Sequence, residues 1–92
     1  MNAYILATSG EFTVISPANG TDFSLLECQN AVGGRIEIVD LRDGRIMIIN
    51  EEGKFMCQLN INATLIALDR CALFPGDYIC GDVIICGTDM LG

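Results

Sequence analysis

The dipeptide Asp43-Gly44 stands at the centre of "GRIEIVDLRDGRIMIINEEGK", residues 34–54. Flanked by apolar residues on both sides, it is a strong short-range signal for a β-hairpin, because a type I′ turn needs positive φ at both central residues. A two-residue loop there sets Arg42 opposite Arg45, Leu41 opposite Ile46, Val39 opposite Ile48 and Glu37 opposite Asn50. One face of the hairpin then holds Val39, Leu41, Ile46 and Ile48. The other holds Ile36, Ile38, Met47 and Ile49. A hairpin with one wet face alternates apolar and polar residues. This one does not, so the pattern predicts that it is central, covered on both sides, or buried against a partner.

The elements around it follow from local signals. Residues 2–8 and 11–15, rich in Tyr, Ile, Phe, Thr and Val, read as two strands joined at Ser9-Gly10. Pro17 and Asn19-Gly20 then break the pattern. Ser24-Leu25-Leu26-Glu27 has the form of a capping box. The serine oxygen accepts from the amide of Glu27, and the glutamate reaches back to the serine amide. The helix predicted from there runs to Val32, with Leu25, Cys28 and Val32 on one face, Leu26 beside them, and Gly33-Gly34 as its end. "NEEGK", residues 50–54, reads as a turn that gathers Glu51, Glu52 and Lys54 into a plausible partner contact. "FMCQLNI" has no clear period and is compatible with extended chain. Asn60 or Asn62 is placed to cap a short helix over 63–68. Pro75-Gly76 marks another turn, and residues 78–87 read as a closing strand with Val83 and Ile85 on one face and Asp82, Ile84 and Cys86 on the other. Asp82 then needs a cationic partner, for which Arg35 and Arg70 are the candidates. The order is β-β-α-β-β-α-β. It predicts an α+β fold with a mostly antiparallel sheet of about five strands, one main helix on a face and a short second helix.

Ninety-two residues without linkers or repeats predict one domain, residues 1–92. The longest purely apolar runs are far shorter than the ~20 residues a membrane span needs, and the first ten residues have no basic region before an apolar stretch. A cytoplasmic chain is the expectation. The apolar fraction is 51% and the charged fraction only 18%. That surplus points to a self-paired interface or a ligand pocket, and a homo-oligomer is expected. Twelve acids against five bases give a net charge of −7, which disfavours binding to nucleic acid or anionic lipid. The five cysteines include no CxxC pair and there is no histidine. Reduced thiols packed as small apolar side chains are expected, with no metal and no cofactor.

Chemistry finds little to work with. Nucleophilic catalysis wants a base beside the nucleophile, and histidine, the usual one, is missing. No spacing singles out a pair of carboxylates, and neither GxxxxGK[ST] nor GxGxxG occurs. The chain is not expected to be an enzyme. An anionic ligand would require bases and an aromatic platform. Arg35, Arg42, Arg45, Arg70 and Lys54 are the candidate ligand-binding residues, with Tyr4, Phe12, Phe55, Phe74 and Tyr78 as candidate platforms.

"LLECQNAVGGRIEIVDLRDGRIMIINEEGKF", Asn62-Ala63, and the closing run Ile79–Gly87, "ICGDVIICG", occur in order along the chain. Together they resemble the domain of unknown function 3846 family, whose members are short proteins carried largely by phages, prophages and plasmids. Where look-alikes often have "LKGLP" after the "NEEGK" turn, this chain has "FMCQL". The resemblance implies a mobile-element protein in a bacterial cytoplasm. Small non-enzymatic proteins of that kind often counter host defence. The leading expectation is that this one sequesters a small nucleotide-derived immune signal. The second is an inhibitor or adaptor that binds a host defence protein through an acidic face or an exposed strand edge. The third is a structural module without a ligand.

Overall fold

The computed structural model describes residues 3–92. Five strands form one sheet: β1 (Ala3–Leu6), β2 (Phe12–Ile15), β3 (Ile36–Asp40), β4 (Arg45–Asn50) and β5 (Val83–Gly87). Their spatial order is β2-β1-β5-β4-β3, and every neighbouring pair is antiparallel. The helices are α1 (Leu25–Val32), a single turn α2 (Gly53–Met56) and α3 (Ile61–Asp69). The α+β reading holds. The expected first strand began at Asn2, which lies outside the described residues.

Alternation along the strands divides the core in two. Leu6, Val39, Leu41, Met47, Val83 and Ile85 project to one face, where Ala63 and Ala67 of α3 cover them. Ala3, Ile46, Ile48, Ile84 and Cys86 project to the other, beneath Phe23 and Cys28 and Val32 of α1. The second helix is therefore as substantial as the first and lies on the opposite face. Residues of β5 are buried on both faces, as expected of a central strand with a helix on each side.

The hairpin exists, but it is not central: β4 is interior, while β3 is an edge strand with Glu37 and Ile38 exposed. Its register is also one residue away from the expected one. Val39 faces Met47 and Ile38 faces Ile48. Leu41 N donates to Arg45 O at 3.1 Å, so the loop is three residues, Arg42-Asp43-Gly44. Positive φ falls at Arg42 (64°) and Gly44 (88°), not at Asp43. The Asp40 carboxylate accepts from Arg42 N and that of Asp43 from Arg45 N, which holds the loop in this form. The two faces are now Val39, Met47 and Ile49 on one side and Ile36, Ile38, Ile46 and Ile48 on the other. β4 is apolar at four successive positions, so either register buries it equally well and its pattern carried no preference.

Helix α1 starts and stops as expected. Ser24 Oγ accepts from Glu27 N at 3.1 Å, Glu27 Oε1 accepts from Ser24 N at 2.9 Å, and Gly33 adopts φ 85°. Its buried face differs. Cys28 and Val32 are buried, whereas Leu25 and Leu26 are exposed. Phe23 takes the place expected of Leu25, because its amide donates to Met90 O and its carbonyl accepts from Gly92 N, which turns its ring inward. Residues 53–56 form a helical turn, which takes in Phe55 and Met56 from the stretch compatible with extended chain. Gly53 is fixed there by contact: a Cβ on it would lie 2.6 Å from Cys80 O. The closing strand is shorter than expected and begins at Val83. Asp82 pairs with no arginine; its carboxylate accepts from Thr8 N at 3.0 Å.

Asn60, not Asn62, caps α3, and it is completely buried. Its oxygen accepts from Ala63 N at 3.0 Å, while its amide donates to Leu6 O at 3.0 Å and Gly81 O at 2.9 Å. Replacing it by leucine strands two carbonyls and one N–H in the core. The expected loss is roughly 2–4 kcal/mol. Asn60→Asp keeps the acceptor for Ala63 but aims its second oxygen at two carbonyls, so it is expected to destabilise at least as much. Urea unfolding of both variants checks this.

Candidate functional site

The clearest concavity follows β3. Leu41 N bonds to Arg45 O and Glu51 N to Arg35 O, so the odd-numbered residues of β3 turn their main chain toward β4. Ile36, Ile38 and Asp40 turn theirs outward, along a free sheet edge. Beside that edge runs residues 72–80, the segment that follows α3. Between them lies an open groove of about 460 Å³ lined by Ile38, Asp40, Arg42, Leu73, Phe74 and Asp77. It continues into a smaller recess of about 140 Å³ that reaches Glu51, Lys54 and Tyr78. Glu37, Val39, Leu73 and Asp77 line both.

The bases expected to bind an anion do not converge. Arg45 makes a paired contact with the Asp43 carboxylate, its shortest distance 2.8 Å. Arg70 Nε lies 3.6 Å from the same carboxylate and 3.4 Å from Leu41 O. Three of the candidates, Arg42, Arg45 and Arg70, thus gather at the hairpin tip, two of them around one acid. Arg35 sits at the other end of β3, roughly 20 Å away at the usual rise per residue, and is not part of the groove wall. Lys54 is bonded to Asp77 and lies 4.7 Å from the centre of the Tyr78 ring. The acids expected to contact a partner separate as well. Glu51 lines the recess, while Glu52 precedes α2 without capping it.

The local field of the groove is acidic. Glu37, Asp40, Glu51 and Asp77 face it, against Arg42 and Lys54. Asp43 is held below the usual carboxylate range, chiefly by its hydrogen bond to Arg45, and Asp77 chiefly by its hydrogen bond to Lys54. Phe74, 84% exposed, stands on the rim, and Phe55, at 89%, projects from α2 nearby in sequence to Lys54. Of the aromatics considered as platforms, Phe74 and Tyr78 belong to this groove; Tyr4 and Phe12 pack edge-to-face on β1 and β2 instead, centroids 5.5 Å apart. Asp77 and Leu73 were not anticipated. Asp77 is 23 residues from Lys54, and only the fold of 53–80 brings them together.

The thiols are all free. Cys28, Cys80 and Cys86 are buried, Cys57 is half-buried and Cys71 exposed. Burial raises the Cys86 pKa to about 11 and also pushes Cys28 and Cys80 up. Among the described residues, no three or more His, Cys, Asp or Glu side chains are grouped to hold a metal ion. No helix among them is long and apolar enough to cross a membrane.

Residues 1–91 match the sequence profile of a domain of unknown function, DUF3846. The chain belongs to the DUF3846 family. The match covers essentially the whole chain, including both walls of the groove. Neither a curated protein nor a solved structure matches it.

The paired acids give a pH dependence with a definite sign. Folded-state pKa values of Asp43 and Asp77 lie below the ordinary aspartate value of 3.8. Their contribution is fully present above that value and is lost as pH falls through the lowered ones. The urea midpoint is expected to fall as pH drops below about 4. Asp43→Asn with Asp77→Asn is expected to start from a lower midpoint at neutral pH and to lose less on acidification.

Proposed function

We propose that this DUF3846 protein is a non-enzymatic accessory protein of a phage or other mobile element that neutralises a host defence component by binding protein. It captures an extended segment, apolar with basic residues, in the groove beside β3. The observation that carries this reading is the free main-chain edge of Ile36, Ile38 and Asp40 lying along an open, acidic groove beneath Phe74. An extended chain laid there would add a strand by main-chain hydrogen bonds and seat alternate side chains in the groove. Glu37 and Glu51 would select basic residues; Leu73 and Phe74 would take apolar ones, while Ile38 and Asp40 would offer their main-chain groups. The outer layer that follows is also apolar for its position: Met56, Ile61 and Leu65 are all exposed.

Sequestration of a nucleotide-derived signal is the second reading, and the cluster of Arg42, Arg45 and Arg70 favours it. Phosphates would have to compete there with Asp43, which already holds two of the three.

Two measurements separate these. Host extract passed over the immobilised protein is expected to yield a partner that Ile38→Pro fails to retain. The Ile38 N–H faces outward, so proline there removes a donor from the partner and none from the sheet. In parallel, thermal shift with cyclic and ADP-ribose-type nucleotides is expected to show no change. A ligand at a hundredfold excess over Kd stabilises by about 2.7 kcal/mol, so a bound nucleotide would be visible. A shift abolished by Arg42→Ala would replace the protein-binding reading with sequestration.

A further inference from the structure

The sheet has two free edges, β2 and β3, and they are built differently. β3 carries Glu37 and Asp40 within the strand, with Arg35 and Arg42 beside its ends. Charges on an edge discourage pairing with a like edge. β2 reads Phe12-Thr13-Val14-Ile15, with no charge, glycine or proline. Ala7 N donates to Glu11 O, so the hydrogen-bonded pairs of the β1–β2 ladder are the odd-numbered ones, Ile5 with Thr13 and Ala3 with Ile15. The main-chain groups of Phe12 and Val14 therefore point away from β1. These two residues are also the ones with bare side chains, 68% and 74% exposed. Free hydrogen-bonding groups and exposed apolar surface coincide on the same two residues.

We propose that β2 pairs with β2 of a second copy, antiparallel across a two-fold axis at Thr13, joining two five-stranded sheets into one. Around that axis Phe12 stands opposite Val14 of the other copy, and Val14 opposite Phe12. An aromatic facing a β-branched residue is a favourable cross-strand pair, and the symmetry supplies it twice. Tyr4 braces the Phe12 ring from within the same chain.

Charge selects a second copy as the occupant. At a net −7, two copies repel least when no like charges are brought into close contact, and β2 is such a place. The one nearby acid, Glu11, faces Ile15 of the other copy. The two Glu11 side chains then lie four residues apart, roughly 13 Å, beyond the screening length of about 8–10 Å. A partner of opposite charge finds nothing on β2 to recognise. Pro17 lacks an N–H to donate and lies just outside the paired segment, which sets its length.

The test combines light scattering with cross-linking. The native protein is expected to scatter as a dimer, dissociating on dilution because the paired segment is short. Val14→Lys, with a native circular dichroism spectrum, is expected to scatter as a monomer at every concentration. Thr13→Cys, made together with Cys71→Ser to remove the exposed native thiol, is expected to oxidise to a covalent dimer. Directly opposed residues of a non-hydrogen-bonded pair have Cα atoms about 4.5 Å apart, within disulfide reach. The Cys71→Ser parent is expected not to cross-link. A native protein that is monomeric at the highest concentration, or a dimer in which Thr13→Cys does not cross-link, overturns the proposal. So does a folded Val14→Lys that remains dimeric. The cross-link decides the matter on its own if Val14→Lys fails to fold.

Discussion

The buried amide of Asn60 fastens three parts of the chain that are distant in sequence. It donates to the last residue of β1 and to the turn before β5, and it caps the first turn of α3. Its main-chain N–H donates to Ile79 O, and its carbonyl accepts from both the amide and the hydroxyl of Thr64. Asn60 is fully buried, so each bond lost would leave a bare polar atom in apolar surroundings. With α3 seated this way, Ala63 and Ala67 lie directly on the sheet, where small side chains let the helix come close. The groove exists because α3 is docked: residues 72–80 leave its end and return along β3.

That return path decides the electrostatics. In sequence, the five bases look like a reserve for an anionic ligand. In the fold, Asp43 engages two of them and Asp77 a third. The remaining field along β3 is acidic, which suits a cationic segment better than a phosphate. The two sheet edges also divide their tasks. The charged edge β3 borders a groove and is protected against its own kind. The uncharged edge β2 presents Phe12 and Val14. The surplus of apolar residues is thus displayed at separate places, not in one continuous pocket.

The capping box at Ser24, the positive φ at Gly33 and the alternation in β5 were legible because each depends on a few neighbouring residues, whereas the cap of α3 stayed open between Asn60 and Asn62. The hairpin register was not legible, since β4 is apolar on both faces and the loop conformation rests on the Asp40 and Asp43 carboxylates. The buried face of α1 was misread because Phe23 is turned inward by main-chain bonds to the C-terminal residues. Of the candidate site residues, Lys54, Glu51 and Arg42 do border one groove. Arg35 does not, and Asp77 and Leu73 could enter only once the chain had turned back on itself.

Local stereochemistry is written in short stretches of this chain: where helices begin and end, which residues turn, and that the chain folds as α+β with a mainly antiparallel sheet. The opposite-face placement of α3, the pairing of Lys54 with Asp77 and of Arg70 with Asp43, and the groove itself came from contacts between segments tens of residues apart. Such contacts depend on how two apolar faces are shared among helices, and residue type alone leaves that choice open when both faces are equally apolar.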